Sequence, residues 1–117
     1  MLNTMNDPNI FLDHILHSIV LIEDYTSNIT KGEFLNTDFI QDAVIQRIKI
    51  IGESVKNLPQ NFKEKYLEIP WETIANVRNI LECKEVNLEL IWETVKTDIP
   101  ALKKEILKLN EVKITYY

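Results

Sequence analysis

Apolar residues recur along this chain at steps of three and four, the spacing of a helix with one buried face. The first run holds Phe11, Ile15, Ile19 and Ile22, widened by Leu12, Leu16 and Val20. Asp7 followed by Pro8 marks its start: a side chain that can cap free amides, then a proline where the missing N–H has no helical partner. The pattern predicts a helix from there to about Tyr25–Ile29, then a turn at Thr30-Lys31-Gly32. The second run is Ile40, Val44, Ile48, Ile51, Val55 and Leu58, with Ala43 and Ile50 beside it. Thr37 and Asp38 can cap its start, and Leu58-Pro59 ends it. Gly52 inside this run costs ~1 kcal/mol relative to alanine. It reads as a close crossing of two helices, where a side chain would not fit.

Residues Gln60 to Tyr66 have room for one short helical segment. Ile69-Pro70-Trp71 opens a third helix with Ile74, Val77 and Leu81 on its inner face, and the charged Glu82-Cys83-Lys84-Glu85 is its exit. Asn87 caps a fourth, along which Leu88, Trp92, Val95, Ile99, Leu102, Ile106 and Leu109 keep the rhythm across Pro100. A proline inside a helix removes a hydrogen bond and bends the rod. The fourth run is therefore either one kinked helix or two short helices nearly aligned, and Val112 to Tyr117 fray or extend it. No hairpin dipeptide and no strict alternation predicts a strand. The expected fold is all-α, a four- to five-helix up-and-down antiparallel bundle, as one domain over residues 1–117. The second and fourth runs carry more apolar surface than one small bundle needs, and a second copy of the chain would cover the surplus.

Composition narrows the function classes. The 117 residues carry 13 Lys and Arg against 18 Asp and Glu, a formal net charge of -5. No basic field surrounds the molecule, so contact with nucleic acid must come from a local patch. One cysteine excludes an internal disulfide and a cysteine-rich zinc site. No apolar run reaches the ~20 residues that cross a bilayer. Met1 to Pro8 lacks the basic and apolar parts of a signal peptide. A cytoplasmic protein is expected.

Few residues offer chemistry on their own. His14 and His17 lie three apart, so they share a helix face and could hold a metal with Asp13. Without a further ligand, two partly exposed polar residues beside the core stripe are the simpler reading. Cys83 sits beside Lys84 with no histidine near it in sequence, and reads as a small residue at a helix end. Arg78-Asn79 follows a Trp-led helix start. An arginine there can grip a phosphate with its planar fork, or form a surface ion pair with Glu82 four residues on.

Three stretches, read in order, resemble the HepT-like branch of the HEPN domain family. They are FIQDAVIQRIKIIGESVKNLP (residues 39–59), FKEKYLEIPWETIANVRNIL (62–81) and VNLELIWETVKTDIPALKKEI (86–106). The likeness covers roughly residues 8–107. The Ile-Gly-Glu-Ser, Ile-Pro-Trp, Arg-Asn-Ile-Leu and Asp-Ile-Pro-x-Leu words make it specific. It implies a helical bundle that pairs as a homodimer. It also implies a toxin of a toxin–antitoxin pair, acting as an RNase without metal or other cofactor on RNA, not DNA. The implied partner is a small MNT-type nucleotidyltransferase antitoxin, which can transfer AMP to a toxin tyrosine near the active site. The family signature is arginine, a polar residue, after a short interval histidine, then one residue and tyrosine, with two such sets meeting across the dimer.

The physical logic of that signature is direct. Arginine neutralises the scissile phosphate and the charge it gains in the transition state. Histidine moves the proton of the ribose 2′-OH or of the leaving oxygen near neutral pH. The 2′-hydroxyl confines the chemistry to RNA. Here Arg78 and Asn79 match the opening of the signature, and the rest departs from it. Aligned from the left, Cys83 falls at the histidine and Glu85 at the tyrosine. Aligned from the right, on Val86-Asn87-Leu88, the loop is two residues shorter than usual. No histidine occurs after His17 in either case, and a thiol with an ordinary pKa of ~8.5 is a weak substitute. Tyr116 and Tyr117 at the tail do not match the tyrosine position. The expectation is a HEPN scaffold that keeps its partner, nucleotide or RNA binding while cleavage is impaired.

Overall fold

The computed structural model describes residues 7–76, 81 and 86–109, with the side chains of Thr73 and Asn76 left aside. Within these residues every regular element is helical. Helix α1 spans Pro8–Thr26 and starts as the sequence predicts: the Asp7 carboxylate accepts from the Asn9 amide at 2.9 Å, and Pro8 takes the first helical position. It buries Leu12, Ile15, Leu16, Ile19 and Ile22, with Ser18 and Thr26 beside them.

The expected turn at Thr30-Lys31-Gly32 is instead the start of a short helix, α2, Lys31–Leu35. Thr30 caps it reciprocally: its hydroxyl accepts from the Glu33 amide at 3.1 Å, and the Glu33 carboxylate accepts from the Thr30 amide at 3.2 Å. Two free donors are satisfied at once, which outweighs the turn preference of Gly32. Phe34 on this turn is fully buried, and its ring tilts against Trp92 at 5.3 Å between centroids.

Helix α3, Asp38–Asn57, follows from Thr37, whose hydroxyl donates to the Glu33 carbonyl at 2.6 Å and does not cap α3. It buries Gln41, Val44, Ile48, Ile51, Gly52, Ser54 and Val55. Leu58-Pro59 ends it as predicted, and α4, Gln60–Lys65, is the short segment read from the sequence. Helix α5, Trp71–Asn76, comes next. Asn87 caps α6, Leu88–Glu93, by accepting from the Leu90 amide at 3.1 Å.

Of the two readings of Pro100, the helical path proves continuous and not two separate rods. A π-helical stretch, Thr94–Asp98, joins α6 to α7, Ile99–Leu107. The Ile99 amide donates to the Thr94 carbonyl, five residues back. The widened turn makes room for the proline ring and lets the helical path continue.

Neighbouring helices run antiparallel. Phe11 and Asn57, from opposite ends of α1 and α3, line one recess. Glu23 pairs with Lys103 at 2.9 Å, while Thr26 receives Lys96 at 3.1 Å, so α1 also opposes the C-terminal helices. Val44, Ile48 and Ile51 of α3, Ile15, Ile19 and Ile22 of α1, and Ile91, Ile99 and Ile106 of the last helices are among the residues of one core. Most of the Ile40–Leu58 and Leu88–Leu109 stripes lies inside this core, while Ile40, Ile50, Leu88 and Trp92 stay half-buried. Among the described residues the large exposed apolar side chains are Phe39 on α3 and Leu67 after α4, at 75% and 78% exposure, with Leu90 on α6 and Leu107 on α7. No described helix is long and apolar enough to cross a membrane.

Candidate active site

The approach to Arg78-Asn79 is firmly built. Trp71, 7% exposed, begins α5 with its indole N–H donating to the carbonyls of Lys63 and Tyr66 at 3.2 and 3.1 Å. Phe62 of α4 packs on the same ring at 6.2 Å between centroids. Ile69 and Ile74 are buried on either side. On the return, Leu81 and Val86 are half-buried against the core, and the Asn87 cap fixes the start of α6. The motif segment thus leaves from a clamped helix and comes back to a capped one. Arg78, Asn79, Cys83 and Glu85 themselves, with Val77, Glu82 and Lys84, lie outside the described residues, as do Tyr116 and Tyr117.

Both histidines of the chain stand on α1. His14 is exposed and His17 half-buried on α1. Both line a surface hollow of ≈ 330 Å³ between α1 and α3, together with Ser18, Arg47 and Ile50. Asp13 does not complete a metal site with them: among the described residues no three His, Cys, Asp or Glu side chains come together as a metal-holding group. Arg47 and Ser18 were not singled out from the sequence. Arg47 did carry a signal, since the residues three and four away on its own helix, Ala43, Val44, Ile50 and Ile51, are all apolar. No carboxylate on that helix stands at the spacing that pairs with it. Ser18 carried none, because its burial depends on how α1 docks against its neighbours.

An all-α antiparallel bundle whose Trp-anchored helix leads into Arg-Asn-Ile-Leu matches the frame of the HEPN proteins. The profile of the family described as "Ribonuclease HepT-like" matches residues 15–109, and the chain belongs to that family. It is similar to a Methanocaldococcus jannaschii protein named gamma-glutamylcyclotransferase and putative RNase, at 56% identity over 107 residues. That match covers 90% of this chain and 48% of the relative, so the chain spans about half the relative's length. A Thermococcus cleftensis protein named probable ribonuclease HepT is 41% identical over 86% of this chain and 94% of its own length. A Caldanaerobacter subterraneus protein named putative RNase is 36% identical over 90% of this chain and 96% of its own. No solved structure matches the chain.

Proposed function

We propose that this chain is a HepT-like component of a toxin–antitoxin pair in which RNA cleavage is impaired. The observation that carries this reading is that no histidine follows Arg78-Asn79; both histidines of the chain, His14 and His17, lie on α1. General acid–base catalysis by such a group contributes ~10²–10⁴-fold. Arg78 would still neutralise a bound phosphate, with Asn79 as its polar neighbour. Glu85 at the tyrosine position would set negative charge where RNA phosphates belong, and it cannot accept AMP as a phenol does.

The likeness to proteins named as RNases supports RNA as the ligand class. Family membership supports a homodimer and an MNT-type nucleotidyltransferase partner. The loss of the imidazole favours a second reading alongside the first: a non-catalytic HEPN dimer that binds a nucleotidyltransferase, a nucleotide or RNA.

The test is incubation of RNA with the purified chain beside its Cys83→His/Glu85→Tyr variant. The unaltered chain should cleave at background rate and the variant measurably faster. Cleavage by the unaltered chain that disappears in Arg78→Ala would overturn the impairment. Sedimentation at micromolar concentration should show a dimer; a monomer alone would remove the pairing.

A further inference from the structure

The solvent side of α3 is polar except at its start. Asp42, Gln46, Lys49 and Glu53 are exposed along it, as the outer face of an amphipathic helix should be. Phe39 breaks the rule, with its ring 75% exposed at the head of that face. An aromatic ring is the side chain with most to gain from burial. Near the other end of α3 lies a recess of ≈ 430 Å³, lined by Phe11 of α1 and by Gln46, Lys49, Ile50 and Asn57 of α3 among others. Phe39 and Asn57 stand about five turns apart, a whole number at 3.6 residues per turn, so ring and recess share one face about 27 Å apart along the helix.

A ring at one end of a face and a recess at the other cannot meet within one molecule. They meet twice when two copies lay their α3 helices antiparallel about a two-fold axis, because such a contact applies the same patch to itself. The charges suit that register. With Phe39 set against the turn from Lys49 to Glu53, Asp42 falls opposite Lys49 of the second copy, on the same flank, and the symmetry repeats the pair. Asp38 comes to the turn that carries Lys56. Gln46 lies near the axis beside its own mate, where an amide can both donate and accept.

We infer that the outer face of α3 is the surface on which two copies of this chain pair, with Phe39 of each copy seated beside Phe11 and Ile50 of the other. This rests on the homodimer proposed above and assigns it a face, a register and an anchor. Phe39 supplies the buried aromatic contact at each end, and the Asp42–Lys49 pairs fix the antiparallel alignment between them.

The experiment measures self-association of the full chain by sedimentation equilibrium. Phe39→Ser changes an exposed side chain, so helical circular dichroism should stay as it was while the dimer weakens about tenfold or more. Asp42→Lys and Lys49→Asp each set like charges against each other twice, and each alone should also weaken the dimer. Mixed in equal amounts, these two variants should pair with one another, since both contacts then join opposite charges. The double variant Asp42→Lys/Lys49→Asp should regain the dimer by itself. A dimer indifferent to Phe39→Ser and to both charge reversals would overturn this face and leave the pairing intact. Single variants that stay apart when mixed would overturn the antiparallel register and the inference with it. An unaltered chain that sediments only as a monomer at micromolar concentration would remove the pairing and the face together.

Discussion

Gln41 shows how much one polar side chain carries in this fold. It is 9% exposed, and its amide donates to the Phe34 carbonyl at 2.9 Å, closing the end of α2 against α3. Gln41→Leu keeps the bulk and removes the donor, leaving the Phe34 carbonyl with the longer bond from the Thr37 amide at 3.4 Å. We expect a loss of about 1–2 kcal/mol, read as a lower urea midpoint with unchanged slope. Trp71→Phe should cost a similar amount, about 1–2 kcal/mol, since two carbonyls share its indole N–H. It should also raise proteolysis after α5, because the clamp ahead of Arg78 is loosened. At this scale the sequence told much about the core and less about polar partners. Ile15, Ile19 and Val44 were readable from spacing. The bond from Gln41 to Phe34 was not, because it depends on the angle at which α3 leaves α2. The arginine and asparagine of the motif were readable as a word, and the missing histidine as a count. What surrounds them falls outside the described residues.

Among the elements, α1 and α6 start at the caps the sequence predicts, and α3 starts at the predicted place although Thr37 turns its hydroxyl back to Glu33. The one misread segment was α2. Its signature was present as Thr30 followed three residues later by Glu33, a capping box that Gly32 disguised as a turn. Pro100 left two options in the sequence because spacing does not record the width of a turn. Distant elements are tied by few polar links, and Lys96 makes one. Its ammonium lies 4.6 Å from the Trp92 ring centroid and donates to the Thr26 carbonyl at the end of α1. Lys96→Met keeps the stem and removes the charge. It should lower stability by about 0.5–1 kcal/mol, measured by thermal unfolding, and should speed amide exchange at the C-terminal end of α1.

The whole molecule has one core, and Ile19 is fully buried within it on α1. Ile19→Ala should cost about 2–5 kcal/mol. For a chain this small that is a large share of a total of ~5–15 kcal/mol, so the variant should be partly unfolded at 37 °C by circular dichroism. The molecule is acidic overall, and Arg47 of α3 lines one hollow with His14 and His17 of α1. A net count of charge does not show which helices meet, so the sequence set His14 and His17 beside Asp13 and left Arg47 out.

The broad turn at Thr94–Asp98 is, in effect, an inserted residue. An ordinary helix with one residue fewer would present α6 and α7 to the interior in nearly the same phase, so the spare position is not needed for alignment. Pro100 makes it useful. Deleting Thr97 alone should force the ring against the preceding turn at a cost of about 3 kcal/mol, whereas deletion together with Pro100→Ala should restore most of that loss. The proline and the extra residue are then a matched couple, each tolerable because the other is present.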